Sequence, residues 1–359
     1  MEALVNPSRE FWSGRRVLVT GHTGFKGSWL SIWLKHLGAH VAGFALDPPS
    51  TPSLFELTRG ARIDQDFRGD IRDVGAVERC VKDAAPEIVF HLAAQPLVRA
   101  AFRDPVGTLA TNVIGTALVL EAVRKAGTVR AIVNITSDKC YEVRTTGEPY
   151  RETDPLGGGD PYSASKGCSE IVTAAWRYSF FRAAEAPRLA SARAGNVIGG
   201  GDWAEDRLIP DCIRSWQKGE VLSIRYPQAV RPWQHVLEPL SGYLMLAERL
   251  RRGGAGIAEA WNFGPDNKDE LPVADVVGAM ARRWGKGAEW TVDSGTHPPE
   301  AVLLKLSAAK AREKLGWRPR LGLSEALDWT VDWYRQQPDI NDVEALCLRQ
   351  ICEYERKAA

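Results

Sequence analysis

The feature that most restricts the fold of this chain is a glycine-punctuated turn set between a strand-like run and a helix-like one. Arg16-Val17-Leu18-Val19-Thr20 is short and β-branched, whereas Trp29, Leu30, Trp33, Leu34 and Leu37 recur at helical spacing. Between them stands Thr20-Gly21-His22-Thr23-Gly24-Phe25-Lys26-Gly27, with glycines at 21, 24 and 27. That spacing permits a tight turn, a close approach of backbone to an anion, and close packing of helix on strand. The alternation then continues. Val41 to Leu46, a weak run before Asp70, Glu87 to Leu92, Ala131 to Thr136 and Arg188 to Arg193 read as strands. Thr108 to Val123 reads as a helix, and Asp160-Pro161 supplies an N-cap and first residue for another that runs towards Tyr178. Strands alternating with such helices pair in parallel through right-handed crossovers. The expected class is therefore α/β, a doubly wound parallel sheet of Rossmann type.

After Asn196 the pattern loosens to Gly199-Gly200-Gly201, several prolines and short elements, among which Pro239 to Leu250 reads as a helix. The expected division is a dinucleotide-binding domain over 12–195, rejoined by a return segment 233–265. Residues 196–232 and 266–359 then form a smaller, mixed α/β substrate lobe.

Composition narrows the function classes by exclusion. Lys+Arg 46 against Asp+Glu 45 leaves a net charge of +1, so no bulk field draws the chain to nucleic acid or an anionic membrane. The first residues have no basic segment leading into an apolar one, and no apolar run approaches the ~18–20 residues of a membrane helix. Six cysteines form no CxxC and no zinc spacing, which points to reduced thiols in a cytoplasm and to no metal site. The thirteen tryptophans are scattered and read as core fillers.

Free N–H groups and the dipole of the helix after the glycine loop suit a pyrophosphate. Gly21, Thr23, Gly24, Phe25, Lys26 and Gly27 are thus the expected cradle of a dinucleotide. Asp47, at the end of the second strand, either reads a ribose or is a turn aspartate before Pro48. No arginine directly ends that strand, which favours NAD over NADP. Asp70 and Ile71 either hold the adenine or belong to a solvated loop.

Tyr162-Ser163-Ala164-Ser165-Lys166 places a tyrosine and a lysine at i, i+4 on one helix face. A phenol titrates near 10. A neighbouring ammonium and a positively charged nicotinamide favour the phenolate, so Tyr162 is expected to take the proton of a sugar hydroxyl as hydride leaves the same carbon. The preceding strand ends Thr136-Ser137-Asp138-Lys139-Cys140-Tyr141, and strand C-termini in such sheets face the ligand crevice. Ser137 is placed to bond the reacting hydroxyl. Asp138 and Lys139 add an acid and a base that simple alcohol oxidation does not need, although the same residues also suit a plain polar turn.

The glycine loop, His91-Leu92-Ala93-Ala94-Gln95, Thr111-Asn112-Val113-Ile114-Gly115-Thr116 and YxxxK resemble the extended short-chain dehydrogenase/reductase superfamily. Within it, Thr20 to Leu30, Ser137 to Tyr141, Arg193 to Asp211 and Arg231 to Leu240 are similar to the CDP-D-glucose 4,6-dehydratase family. So are Trp261 to Pro265 and Leu315 to Trp317, and the likeness runs from about residue 11 to 335. The resemblance implies a lyase with tightly bound NAD. Hydride leaves C4 of CDP-glucose, water is lost across C5 and C6, and hydride returns to C6.

By the same resemblance Tyr162 is the C4 base, Lys166 tunes it and holds the ribose, and Ser137 orients the C4 hydroxyl. Asp138 protonates the departing C6 hydroxyl, and Leu92, Ala93 and Ala94 border the cofactor. Lys139 stands where the wider dehydratases carry an acid. It either takes the C5 proton or stabilises the enolate. Asn196, Arg207, Leu208 and Arg231 are expected on the nucleotide sugar, the arginines on diphosphate oxygens. His297 and Glu300 resemble a late substrate segment with altered spacing, and Trp233 stacks or packs. The superfamily's habit implies a homodimer pairing the 108–123 and 162–178 helices. A sugar-nucleotide 4-epimerase would use the same loop and YxxxK without needing Asp138 and Lys139. A non-catalytic cofactor sensor would need only the fold and the loop.

Overall fold

Residue alternation in the first strand already sets up a sheet covered on both faces. In β1 (Arg16–Thr20) Leu18 points to one side, and Val17 and Val19 point to the other. Each is about 1% exposed or less, and burial of such a side chain stabilises the fold by about 1.5–3 kcal/mol. The computed structural model describes residues 6–144, 146–253, 256–295 and 303–357. Its main sheet has seven parallel strands in the order β7-β6-β5-β4-β1-β2-β3. The others are β2 (His40–Ala45), β3 (Gln65–Arg68), β4 (Ile88–His91), β5 (Ala131–Ile135), β6 (Arg188–Ala194) and β7 (Ala260–Phe263). The strand order reverses at β1 and β4, where a doubly wound sheet opens its ligand crevice.

On the face that receives Leu18 lie α2 (Val74–Ala84), α3 (Pro105–Ala126) and α4 (Pro161–Ser179), through Val77, Val81, Val119, Leu120, Val123, Val172 and Trp176. On the other lie α1 (Phe25–His36), α6 (Leu237–Arg252) and α9 (Val343–Arg356), with Trp29, Trp33, Tyr243, Leu244 and Tyr354. The doubly wound class is what the alternation predicts. β3 is a weak signal because it is an edge strand whose Gln65, Asp66 and Arg68 face water.

Two expectations are corrected. One helix, α3, is long and apolar enough to cross a membrane by length and composition. It is the crossover between β4 and β5, and it contains a π-helical turn at Ala110–Ile114. The elements after Asn196 are also not uniformly short. Besides α5 (Leu208–Gln217) and α6, the chain forms α7 (Val273–Trp284), α8 (Leu323–Gln336) and α9. α6 runs from 237 to 252, longer at both ends than its apolar core suggests. Trp317, Trp333, Tyr334 and Tyr354 join these helices to the first core, so the tryptophans act as packing residues. Trp233 does the same, 3% exposed with its indole donating to the Leu271 carbonyl at 3.0 Å.

Candidate active site

The C-terminal ends of the strands open into a cavity of about 900 Å³. Its first wall is the β1–α1 turn. Gly21 has φ +75°, and a Cβ there would come within 2.7 Å of the Ala93 backbone nitrogen. At Gly27 a Cβ would meet the Gly21 carbonyl oxygen at 2.1 Å, so the helix packs on the turn only with glycine. Gly24 is the N-cap of α1, and no side chain caps the helix. The N–H groups at this end are thus left for an anion, which fits the pyrophosphate of a dinucleotide. Thr23, Phe25, Lys26, Asp47, Asp70, Ile71, Leu92, Ala93 and Ala94 line the same cavity.

Asp47 is 92% exposed and lies 3.7 Å from Arg68. Arg68, delivered by the neighbouring β3, also donates to the Leu46 carbonyl at 3.1 Å. Asp70 is held below the usual carboxylate range by the Arg72 guanidinium. Burial, with Arg207 and Lys166 nearby, lowers the Lys26 ammonium to about 7.

The second wall is the β5 end and the start of α4. Asp160 caps α4 by accepting from the Ser163 N–H at 3.0 Å, and Pro161 starts it. Tyr162 and Lys166 are 8% and 5% exposed on the buried face of this helix. A short turn, Asp138–Cys140, follows β5; Ser137 donates to the Asp138 carboxylate at 3.1 Å and accepts from the Lys139 N–H at 3.2 Å. Burial raises the Asp138 carboxyl above its ordinary range, and its Oδ2 has no hydrogen-bond partner among the described residues. An unpaired buried carboxyl oxygen favours the protonated form, a proton donor. Lys139 is half-buried beside it and lines the cavity.

Burial sends the Tyr162 phenol up to about 12, although Ser137 and Arg207 pull the other way. Burial lowers the Lys166 ammonium to about 8 against the opposing pull of Glu170, and Lys166 reaches the Ile135 carbonyl at 3.5 Å.

The third wall comes from the substrate half. Asn196, Arg207, Leu208 and Arg231 all border the cavity. Arg207 is the N-cap residue of α5 and pairs with Asp202 at 2.9 Å, and Arg231 is 4% exposed. His297 and Glu300 lie outside the described residues. The sequence reading missed Arg99 and Arg225, which both bond one oxygen of Asp206 at 2.7 and 3.1 Å on the cavity rim. No local motif announces them, since Arg99 and Asp206 are 107 positions apart. Among the described residues no cluster of three or more metal-ligating side chains occurs, and all six cysteines are free.

Comparison with known proteins agrees with this geometry. A CDP-glucose 4,6-dehydratase of Salmonella typhimurium is 51% identical over 350 residues, 96% of this chain and 98% of that protein. A Thermus thermophilus UDP-glucose 4-epimerase in complex with NAD superposes with TM-score 0.77 at 27% identity, over 89% of this chain and 99% of that one. A dTDP-glucose 4,6-dehydratase of Streptomyces venezuelae with NAD bound gives 0.75 at 25%, over 89% and 97%. The family model described as GDP-mannose 4,6 dehydratase matches residues 18–330, and the chain belongs to that family.

Proposed function

We propose that the chain converts CDP-D-glucose to CDP-4-keto-6-deoxy-D-glucose with loss of water. The observation that carries this reading is the buried Asp138, its carboxyl raised and its Oδ2 unpaired, in one cavity with Tyr162, Lys166 and Lys139. A 4-epimerase has no use for that proton donor. The 51% identity to a CDP-glucose 4,6-dehydratase supports cytidine as the base.

NAD, when bound against Gly21 to Gly27, Asp47, Asp70, Ile71 and Leu92 to Ala94, supplies the acceptor for the C4 hydride and the source of the hydride returned to C6. Tyr162 receives the C4 hydroxyl proton, with Ser137 orienting that hydroxyl and Lys166 countering the phenolate. The resulting ketone acidifies C5, whose proton passes to Lys139 or whose enolate Lys139 stabilises. The C6–O bond then breaks as Asp138 gives its proton to the leaving oxygen, water departs, and C5 regains a proton as C6 is reduced. Arg207 and Arg231 face the diphosphate with Asn196 and Leu208 beside it.

The division into a cofactor half (12–195 with 233–265) and a substrate half belongs to the same proposal. So does a homodimer. Phe102, Val106, Leu109 and Ile114 from the α3 region and Ile171, Tyr178 and Phe180 from the α4 region are exposed, and two copies pair across that apolar face. Six free cysteines suit work in the cytoplasm. The test is incubation with CDP-, dTDP-, UDP- and GDP-glucose, with products read by mass. Loss of water from CDP-glucose at far the highest kcat/KM is expected. Better use of dTDP-glucose overturns the base assignment, and epimerised product of unchanged mass overturns the dehydratase.

A further inference from the structure

α4 carries a third ionisable residue on the face of Tyr162 and Lys166. Glu170, four residues beyond Lys166, is 3% exposed and pairs with Arg193 of β6, also 3% exposed, at 2.8 Å. Its Oε1 accepts from the Thr136 hydroxyl, and its Oε2 accepts from Ser191 at 2.6 Å as well as from Arg193. The other arm of the Arg193 guanidinium donates to the Tyr141 hydroxyl at 2.8 Å, and Tyr141 donates to Asn262 at 2.7 Å. Tyr141 is held further by its ring, stacked on Tyr150 at 4.7 Å.

The positions gripped are informative. Thr136 immediately precedes Ser137, and Tyr141 immediately follows the Asp138–Cys140 turn. One carboxylate and one guanidinium therefore hold both ends of the segment bearing Ser137, Asp138 and Lys139, and fasten it to the helix bearing Tyr162 and Lys166. For stability alone such a buried pair is no better than apolar side chains of equal volume. Apolar side chains, however, can neither accept from the Thr136 hydroxyl nor donate to that of Tyr141.

We infer that Glu170 and Arg193 are positioning residues for the dehydration, acting as a clamp that fixes the proton-donating turn against the Tyr162–Lys166 helix. The inference rests on the dehydratase reading for its kinetic consequence, and its physical core is independent of it. Glu170 also bears on Lys166 electrostatically, raising its pKa. Cys140 on the turn, Lys26 on α1 and His91 on β4 also interact with Lys166 electrostatically, and Tyr162 and Asp138 line the same cavity.

The test uses the full chain. In Glu170→Gln, kcat on CDP-glucose should fall about 10²-fold, the scale of a misplacement near 1 Å, with KM within twofold. Lysine-labelled NMR of the free protein should show Lys166 titrating about one unit lower than in the wild type. Tyr141→Phe keeps the stacked ring but loses the hydroxyl, and should lower kcat about tenfold. Arg193→Lys keeps the charge without the fork, and should lower kcat with little movement of Lys166. Glu238→Gln is the control, a carboxylate equally buried that serves the Arg320 and Leu321 N–H groups and Tyr354. It should lower Tm and leave the Lys166 titration in place.

A folded Glu170→Gln with kcat within threefold of wild type and Lys166 unmoved overturns the clamp. So does a Glu238→Gln that moves Lys166 equally. If Glu170→Gln does not fold, Tyr141→Phe decides, and an unchanged kcat there overturns the clamp. A Lys166 shift in a protein whose wild type dehydrates no nucleotide sugar sinks the dehydratase reading and leaves the clamp standing.

Discussion

The floor and the rim of the cavity are both crowded with charge, yet they hold it in opposite ways. On the floor Ser137, Asp138, Tyr162 and Lys166 are all 8% exposed or less, and burial dominates the protonation of Asp138, Tyr162 and Lys166. On the rim Arg99, Arg225 and Arg207 are 41%, 24% and 33% exposed and sit on the carboxylates of Asp206 and Asp202. A buried charge that loses its partner stays unsatisfied, so the floor has one arrangement. A half-exposed arginine can trade a carboxylate for water or for a phosphate at little cost, so the rim has several. The contrast assigns rate to the floor and affinity to the rim.

The most severe test of that division is Tyr162→Phe. It should lower kcat by about 10²–10⁴-fold and leave KM nearly unchanged in steady-state assays. A large KM effect with kcat preserved would erase the distinction. Next comes Asp138→Asn, expected to lower dehydration by about 10²-fold. Quenched reactions should then contain, by mass, the 4-keto sugar that retains its C6 hydroxyl.

The pH axis sharpens the contrast. Asp138 acts protonated and its pKa is raised by burial, so kcat should show a limb that falls as pH rises through that raised value. The Asn variant should lose this limb. Asp206 is the opposite case: desolvation pushes it up, but the Arg99 and Arg225 hydrogen bonds prevail and hold it low. It stays ionised through neutral pH, and KM should be flat there.

A smaller effect is expected at the rim. Asp206→Asn releases both arginines, so KM should drop about two- to fivefold with kcat unchanged. Smallest of all, raising salt from about 0.05 to 0.5 M should raise KM a fewfold while kcat barely moves, because screening reaches the rim and not the floor. A kcat more salt-sensitive than KM would reverse the assignment.

The same contrast explains what could be read from the sequence. The glycine loop, the YxxxK pair and the Ser137–Lys139 strand end are contiguous, and their chemistry follows from local spacing. The Arg99–Asp206–Arg225 bridge is assembled across the chain, and half-exposed charges leave no hydropathy pattern. Glu170 lies between these cases. A carboxylate four residues past Lys166 on the buried face was a visible anomaly, but its partner Arg193 comes from another element. Likewise α7 to α9 read as short elements in the sequence, because charged residues such as Asp275, Asp328, Asp332 and Glu344 interrupt their apolar spacing. The tertiary contacts of Trp329, Trp333 and Tyr354 give that spacing its meaning.

The seventh strand has a consequence for how such an enzyme can change. β7 enters the main sheet from the late part of the chain, in parallel register with β6, Ala260 beside Ser191 and Phe263 beside Ala194. The late sequence is thereby stitched through the early fold rather than appended to it. Exchanging everything after residue 195 as one block for that of a relative would strip a hydrogen-bonded edge from β6 and unseat α6 from the core. New specificity is then reached most easily by changing partly exposed rim residues such as Arg99, Asp206 and Arg225, while buried neighbours such as Gly200 and Trp203 stay fixed.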